Sequence, residues 1–181
     1  MTDIKKVVLF LIFFQTLTLL SAKDLPTGYR NISLGMTLEE TKEALIKDSS
    51  FGYHGDRDVS LIPGSNKTLI ETDSKAGHGS TFLERCWFQF FDDSLYIITI
   101  NVNQEKMDYY SIFTTLTSKY GEPTSFNPNS ALWENDDYSL SLEKPLILKY
   151  IDKNVFNNTQ NYSNIDISPE EKTREMFLDE L

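Results

Sequence analysis

Two histidines and a nearby aspartate are the residues of this chain whose chemistry is easiest to name. His54, Asp56 and His78 lie in the stretch 51–79, which also contains five of the eight glycines. Imidazole and carboxylate groups transfer protons in many enzymes, so one hypothesis is a small enzyme with its site in this stretch. The two histidines are 24 positions apart and each is next to glycine, which is more typical of solvated loop residues. A metal site needs several converging ligands, and we therefore expect neither a metal ion nor a cofactor.

Cys86 is the only cysteine, and it lies in the strongly apolar segment 82–91. A thiol becomes a nucleophile in an open, electropositive setting, which a strand beside Trp87 does not offer, so we expect a buried and inert side chain. The stretch 64–68 lacks the glycines of a phosphate-binding loop, and the chain has no Gly-x-Ser-x-Gly motif. The sequence therefore favours a protein that binds without catalysis, with the enzyme as the alternative.

Trp87 and Trp133 are candidate binding residues because large aromatic side chains form platforms for ligands and partners. Alternate residues of a strand point to opposite faces, so Trp87 and Phe91 would face away from Phe88 and Phe90. Both faces of this strand are then partly apolar. Either a helix or a loop covers the second face, or that face is a binding surface.

Two segments carry helix signals. Thr37 followed by Glu40 has the spacing of a capping box, which predicts a helix from there to about residue 48. A second helix is predicted over 104–119, with Gly121 just past its end. Its apolar stripe repeats at helical spacing and comprises Tyr109, Ile112, Phe113, Leu116 and Tyr120.

The strongest strand pattern is a hairpin of 82–91 and 95–102 joined by a turn that contains Asp92 and Asp93. In the second strand, side chains alternate with a period of two, so every second residue should share one dry face. These residues are Tyr96, Ile98, Ile100 and Val102. Further strands are predicted at 131–134, 138–143 and 146–151, and a weak hairpin at 59–62 and 68–71. The fold class is therefore α+β: an antiparallel sheet with two helices packed on one face, in a two-layer sandwich.

The first 22 residues have the order of a secretory signal peptide. Lys5 and Lys6 precede an apolar run, and Ser21 and Ala22 supply small residues at the exit. The apolar stretch 7–20 would reach roughly 21 Å as a helix, which is short for a bilayer core of about 30 Å. The predicted organisation is a signal peptide at 1–22, one α+β domain at 23–151 and a polar tail at 152–181. The helix start signal of Ser168 and Pro169 would allow a short helix at the end of this tail.

The charge of the chain excludes some classes of partner. The net charge is −10, and removal of residues 1–22 takes away Lys5, Lys6 and Asp3, which makes it −11. Nucleic-acid affinity rests on Lys and Arg side chains that neutralise phosphates, so we expect no nucleic-acid partner. The remainder of the chain has no second apolar run long enough to span a bilayer, so we expect no stable membrane insertion after signal cleavage.

A family resemblance starts at residues 32–45, Ile-Ser-Leu-Gly-Met-Thr-Leu-Glu-Glu-Thr-Lys-Glu-Ala-Leu, and continues with Tyr-Gly-Glu-Pro at 120–123 followed by Trp133. These segments resemble the SmpA/OmlA-like and β-lactamase-inhibitor-protein-like domains of bacterial envelopes. The resemblance implies a helix-on-sheet envelope protein that binds other proteins. Lys23 stands where a lipoprotein would have its lipid-bearing cysteine, and no functional residue is carried over.

The sequence thus predicts an exported, non-enzymatic binding or assembly module of the bacterial cell envelope, located in the periplasm. Its partner would be an envelope protein of unknown identity, contacted through 51–79 or the tail beyond Asp152. Two alternatives stay open. One is a small periplasmic enzyme that uses the glycine- and histidine-rich stretch, and the other is a carrier of a small ligand, which needs an apolar cavity.

Overall fold

The computed structural model describes residues 24–61, 66–74 and 82–165, with side chains described up to residue 160. The predicted signal peptide, His78 and residues 166–181 of the predicted tail lie outside these ranges. The described part is an α+β fold. Its α-helices are α1 (Leu38–Lys47), α2 (Tyr109–Tyr120) and α3 (Lys153–Ile165). None of these described helices has both the length and the apolar character needed to cross a membrane.

Two antiparallel sheets accompany these helices. The smaller one is a hairpin of β1 (Gly28–Tyr29) and β2 (Ile32–Ser33). The larger sheet consists of β3 (Val59–Leu61), β4 (Lys67–Asp73), β5 (Leu83–Phe91), β6 (Ser94–Val102), β7 (Ser125–Asn127), β8 (Ser130–Glu134), β9 (Tyr138–Glu143) and β10 (Ile147–Asp152). Its strands lie in the order β3-β4-β5-β6-β10-β9-β8-β7.

The hairpin of β5 and β6 confirms the strongest strand prediction. Asp92 and Asp93 in its turn both have positive φ, of 47° and 60°, as a two-residue turn that follows the twist of its strands requires. The pair of β3 and β4, predicted as a weak hairpin within exposed connections, instead extends the large sheet, because β4 pairs with β5 over its whole length.

One prediction about β6 is wrong. Residues 89 and 90 of β5 pair with Ile97 and Leu95, so Tyr96 is an extra residue in a β-bulge. Leu95 therefore takes the place predicted for Tyr96 on the dry face. The hydroxyl of Tyr96 interacts instead with Thr159 of α3.

The start of α1 is as predicted. The Thr37 side chain accepts from the backbone N–H of Glu40 at 3.3 Å, and the Glu40 carboxylate accepts from the backbone N–H of Thr37 at 2.9 Å. The backbone N–H of Leu38 donates to Asp93 Oδ1 at 3.0 Å, which ties this helix to the β5–β6 turn. Leu45 on its inner face is 1% exposed.

The other two helices depart from the sequence prediction. α2 begins at Tyr109 and not near 104, because Asp108 is its N-cap and accepts from the backbone N–H of Ser111 at 2.9 Å. α3 occupies residues for which the sequence indicated a polar tail. Its first turn is capped by Asp152, whose side chain accepts from the backbone N–H of Val155 at 3.0 Å.

Candidate functional site

A cleft of about 720 Å³ lies between α2, the β1–β2 hairpin and the middle of the large sheet. Its floor consists of apolar side chains from three adjacent strands. Leu148 of β10 pairs with Ile100 of β6, and the strand period places Tyr150 and Val102 on the same face. Leu83 of β5 pairs with Val102 and extends the floor. The floor is therefore a dry patch at the centre of the sheet.

One side of α2 forms a wall of the cleft above this floor. Ile112, Thr115, Leu116 and Lys119 line it, at the spacing of three and four that puts residues on one helix face. Of the twelve residues of this helix, Leu116 alone is buried. The room left beside α2 is the cleft.

Arg30 lines the cleft from the turn between β1 and β2, where its φ is 56°. Its guanidinium donates to Asp48 Oδ2 at 2.8 Å and to Ser50 Oγ. The same group lies 5.4 Å and 5.9 Å from the ring centres of Tyr29 and Phe51. Burial alone would raise the pKa of Asp48, but hydrogen bonds from Ser50 and Arg30 bring that pKa below its usual value. Arg30 is therefore a cation held in a fixed position.

Three tyrosines, Tyr29, Tyr120 and Tyr150, line the same cleft. Tyr150 is the most deeply placed of them and is 5% exposed. Burial raises the pKa of its hydroxyl well above the usual value, and the neighbouring Tyr120 and Tyr29 raise this pKa further. The phenol of Tyr150 is therefore protonated around neutral pH and can donate a hydrogen bond.

The electrostatic character of the cleft differs from that of the whole chain. The chain contains 27 Asp and Glu residues, yet no carboxylate is among the described residues that line the cleft. The charged groups there are Arg30 and Lys119, and Lys119 lies in the last turn of α2. Arg30 is paired with Asp48, whereas none of the ion pairs of the described residues involves Lys119.

The residues predicted from the 51–79 stretch do not meet in this cleft. His54 lies beside Asp58, with its Nδ1 3.3 Å from Asp58 Oδ2 and its backbone N–H donating to the same oxygen at 2.7 Å. Asp56 has a side chain that is 91% exposed and pairs with Lys42 at 3.2 Å. His54 and Asp56 therefore contact different partners, and the exposed ion pair of Asp56 with Lys42 is of a kind that contributes little to stability. His78 lies outside the described residues.

The two tryptophans lie in different surroundings, and neither lines the cleft. Trp87 is half-buried on β5, with the guanidinium of Arg85 6.0 Å from its ring centre. Trp133 is 2% exposed, and its indole N–H donates to the carbonyl of Gly121 at 2.8 Å. Trp133 thus fixes the end of α2 from within the core.

Cys86 is buried, as predicted, and burial raises the pKa of its thiol to about 12. A thiol with so high a pKa carries almost no thiolate at neutral pH. Within the ranges that the structure describes, no group of three or more His, Cys, Asp and Glu side chains is placed to hold a metal ion.

A second feature is a group of ring side chains at the sheet edge, Tyr110, Phe113 and Phe126, which we call the aromatic patch. Tyr110 is 74% exposed and Phe126 is 65% exposed. The rings of Phe113 and Phe126 are 5.6 Å apart, and a shallow pocket of about 380 Å³ lies beside them. Phe126 belongs to β7, the last strand in the order of the large sheet. The patch therefore combines exposed rings with a strand edge.

Sequence reasoning missed the polar residues of the cleft, namely Arg30, Lys119 and Tyr150. The apolar stripe of α2 is the one local signal that points there, since it contains Leu116 and Tyr120. The hairpin that carries Arg30 has strands of two residues each, which are too short to leave an alternation pattern. The convergence of these side chains is a property of the tertiary fold.

Comparison with known proteins gives a family and no further relative. No curated protein and no solved structure matches this chain. The model of the TP0088 domain matches residues 27–162, about three quarters of the chain, and this range includes every residue that lines the cleft. The chain therefore belongs to the TP0088 domain family.

Proposed function

We propose that this chain is an exported, non-enzymatic binding protein that holds a small apolar ligand in the cleft beside α2. The observation that carries the proposal is the cleft itself, about 720 Å³ in volume with an apolar floor. Ligand sites in proteins are typically concave, roughly 300–1,000 Å³ in size and mostly apolar with a few polar groups. The small-ligand carrier considered from the sequence required such a cavity.

The position of α2 supports the same function. Protein interiors are normally close-packed, so a helix with an apolar stripe settles onto the sheet and buries it. Here Ile112 and Phe113 stay half-buried although both belong to the stripe, and Leu116 alone is buried. A ligand between α2 and the sheet would complete this packing.

The layered arrangement predicted from the sequence is part of the proposal. We infer that α1 and α2 both lie on the face of the sheet that carries Leu95 and Ile100, in two layers. Support comes from the bond of Leu38 to Asp93 at one end, and from the cleft residues of α2 that face Ile100 at the other. The cleft would then be a gap between the layers.

The enzyme alternative has less support among the described residues. His54 contacts Asp58 while Asp56 pairs with Lys42, and the thiol of Cys86 is buried with a raised pKa. A general base and a nucleophile would have to lie within hydrogen-bond reach of each other. Binding without catalysis therefore remains the function that we propose.

Export to the periplasm rests on the predicted signal peptide at residues 1–22. N-terminal sequencing of the protein recovered from the envelope fraction tests it. We expect a chain that begins at Lys23, and a chain that begins at Met1 or Thr2 would contradict the proposed cleavage.

Binding in the cleft can be tested with N-phenyl-1-naphthylamine, an uncharged apolar dye whose fluorescence rises when it leaves water. We expect the wild-type chain to bind it and Thr115→Trp to bind it weakly, because the indole would occupy the cleft. Thr114→Trp is the matched control: Thr114 and Thr115 are both exposed and both donate to the carbonyl four residues earlier, at 2.9 Å and 2.7 Å. Thr115 lines the cleft and Thr114 does not. Equal binding by the two variants would contradict the proposed site.

A second candidate function is the binding of an envelope protein through the aromatic patch. The exposure of Tyr110 and Phe126 favours it, because large exposed aromatic side chains beside a strand edge are typical of protein contacts. The test compares crosslinked partners from envelope extracts for the wild type and for the double variant Tyr110→Ser, Phe126→Ser. We expect any specific partner to be lost in the double variant and retained in Thr115→Trp. A partner retained by the double variant would exclude this surface.

A further inference from the structure

The lining of the cleft also indicates the chemical class of its ligand. Resting on the proposed function, we propose that the ligand is a single-chain amphiphile with an anionic headgroup, its apolar part on the sheet and its headgroup beside Lys119 and the tyrosines.

The first argument is charge complementarity. The chain carries a net charge of −10, and carboxylates are absent from the described lining of the cleft. Arg30 and Lys119 supply positive charge at its edge. A cationic ligand would meet no counter-charge there, whereas an anion would meet one cation that lacks an ion pair and one that is paired.

The difference between these two cations decides which of them the headgroup contacts. Arg30 donates hydrogen bonds to Asp48 and Ser50, and it would have to break them to turn toward a ligand. Lys119 has an exposed side chain on a flexible stem and no ion pair among the described residues. Lys119 is therefore the cation that is free to contact an anion at the mouth of the cleft.

The hydroxyl groups of the cleft supply the second argument. Tyr29, Tyr120 and Tyr150 bring three phenols to one region, and phenols are good hydrogen-bond donors. A carboxylate or phosphate only accepts hydrogen bonds, and bonds in which one partner is charged are roughly twice as strong as neutral ones. The donor-rich lining thus matches an acceptor-rich headgroup.

The third argument is the shape of the apolar part. Leu83, Ile100 and Leu148 form a continuous floor over three neighbouring strands, and Ile112 and Leu116 face them from α2. An extended hydrocarbon chain fits between a flat sheet face and a helix side. The polar groups, namely Arg30, Lys119 and the three tyrosines, line the same cleft beside this apolar floor.

The test is a competition assay with wild-type protein and the dye N-phenyl-1-naphthylamine. Dodecanoate, dodecanol and dodecyltrimethylammonium have the same chain and differ in headgroup charge, and each is used below its micelle concentration. We expect dodecanoate to displace the dye at about tenfold lower concentration than dodecanol, since a hydrogen bond to a charged group contributes about 1.5 kcal/mol or more. The cationic amphiphile should compete least.

Two substitutions locate the effect. Lys119→Gln and Tyr150→Phe should each reduce the preference for dodecanoate several-fold while displacement by dodecanol stays unchanged. Lys106→Gln is the matched control, because Lys106 is exposed near the cleft and does not line it. Should Lys119 serve only the C-terminal end of α2, Lys119→Gln would lower thermal stability and leave the headgroup preference intact, which would overturn the proposal.

The outcomes separate the two levels of inference. Failure of the dye to bind the wild type contradicts the proposed function. Dye binding with equal competition by all three headgroups leaves that function standing and overturns the anionic ligand. Sedimentation of the protein with phosphatidylglycerol vesicles, and no displacement by dodecanoate, would overturn a free single-chain ligand in favour of a membrane surface; we expect the protein to stay in the supernatant.

Discussion

Helices α1 and α2 have similar lengths and apolar stripes, but they meet the sheet in different ways. α1 has ten residues and buries three, among them Leu45, and its first turn is bonded to Asp93 of the β5–β6 turn. α2 has twelve residues and buries Leu116 alone. An apolar stripe therefore indicates which side of a helix faces the sheet, but it does not indicate how closely the helix packs. The apolar side of α1 is packed against its neighbours, whereas a cleft lies beside the apolar side of α2.

The largest expected effect is a difference in stability between two matched truncations. Leu45→Ala should lower the free energy of unfolding by about 3 kcal/mol, because a fully buried leucine leaves a new cavity. Leu116→Ala should cost about 1–2 kcal/mol, because its side chain already borders open space and has fewer contacts to lose. Urea denaturation of both variants measures the difference.

Equal costs for the two variants would contradict the comparison, since they would mean that α2 packs as closely as α1. A ligand bound in the cleft should make the stability losses of Leu45→Ala and Leu116→Ala more alike. With saturating N-phenyl-1-naphthylamine the wild-type chain should be stabilised, and the cost of Leu116→Ala should rise because the ligand supplies contacts that the alanine cannot make.

Trp133→Phe should have the next largest effect. The indole N–H of Trp133 holds the carbonyl of Gly121 at 2.8 Å, and Phe would leave that bond unmade. The expected loss is about 1–2 kcal/mol of unfolding free energy. Trp87→Phe is the matched control, with an expected change within about 0.5 kcal/mol, because Trp87 is half-buried and lies off the core face.

The same pair of variants sharpens the assignment of the cleft. Neither tryptophan lines it, so the affinity for the apolar dye should stay within about twofold in both, apart from the stability loss. A large loss of dye affinity in Trp87→Phe would instead favour the sequence-based expectation that this tryptophan binds a ligand.

Local patterns predicted the elements whose determinants are adjacent in sequence. The capping box of Thr37 and Glu40 needs four consecutive residues and was found at the expected place. The predicted start of α2 is too early. The N-cap of the helix is Asp108, whose side chain accepts from the backbone N–H of Ser111, and none of the polar residues at 104–107. α3 escaped prediction because its sequence is polar and rich in asparagine, and its start is fixed by contacts such as that of Lys153 with Glu134, at 2.9 Å.

The candidate cleft could not be predicted in the same way. Its lining comes from the β1–β2 hairpin, from β5, β6 and β10, and from α2, which are far apart along the chain. Alternation predicted that Ile98, Ile100 and Val102 share a dry face, but not that α2 would leave part of it open. The bulge at Tyr96 puts Leu95 on the dry face in place of Tyr96. Which residue bulges depends on how β6 pairs with β5, and the alternation within β6 does not reveal it.

The smallest expected effect concerns Asp48, which joins the end of α1 to the cleft. The backbone N–H of Asp48 caps α1, and its carboxylate accepts from Arg30 at 2.8 Å and from the backbone N–H of Ser50 at 3.0 Å. Asp48→Asn would keep the backbone cap and remove the charge of the side chain. The ion pair is partly exposed, with Arg30 at 38% and Asp48 at 20%, and we expect a loss of about 0.5 kcal/mol or less near neutral pH. Urea denaturation at several pH values measures it.

The pH dependence of that loss has a definite sign. The pKa of Asp48 is lower in the folded chain than its ordinary value of 3.8, because hydrogen bonds from Ser50 and Arg30 outweigh the opposing effect of burial. Its contribution is therefore complete above the ordinary value and disappears as the pH falls through the lowered pKa. The wild type and Asp48→Asn should differ at neutral pH and converge in strong acid. The affinity for dodecanoate should change less in Asp48→Asn than in Lys119→Gln, since the proposed headgroup position is beside Lys119.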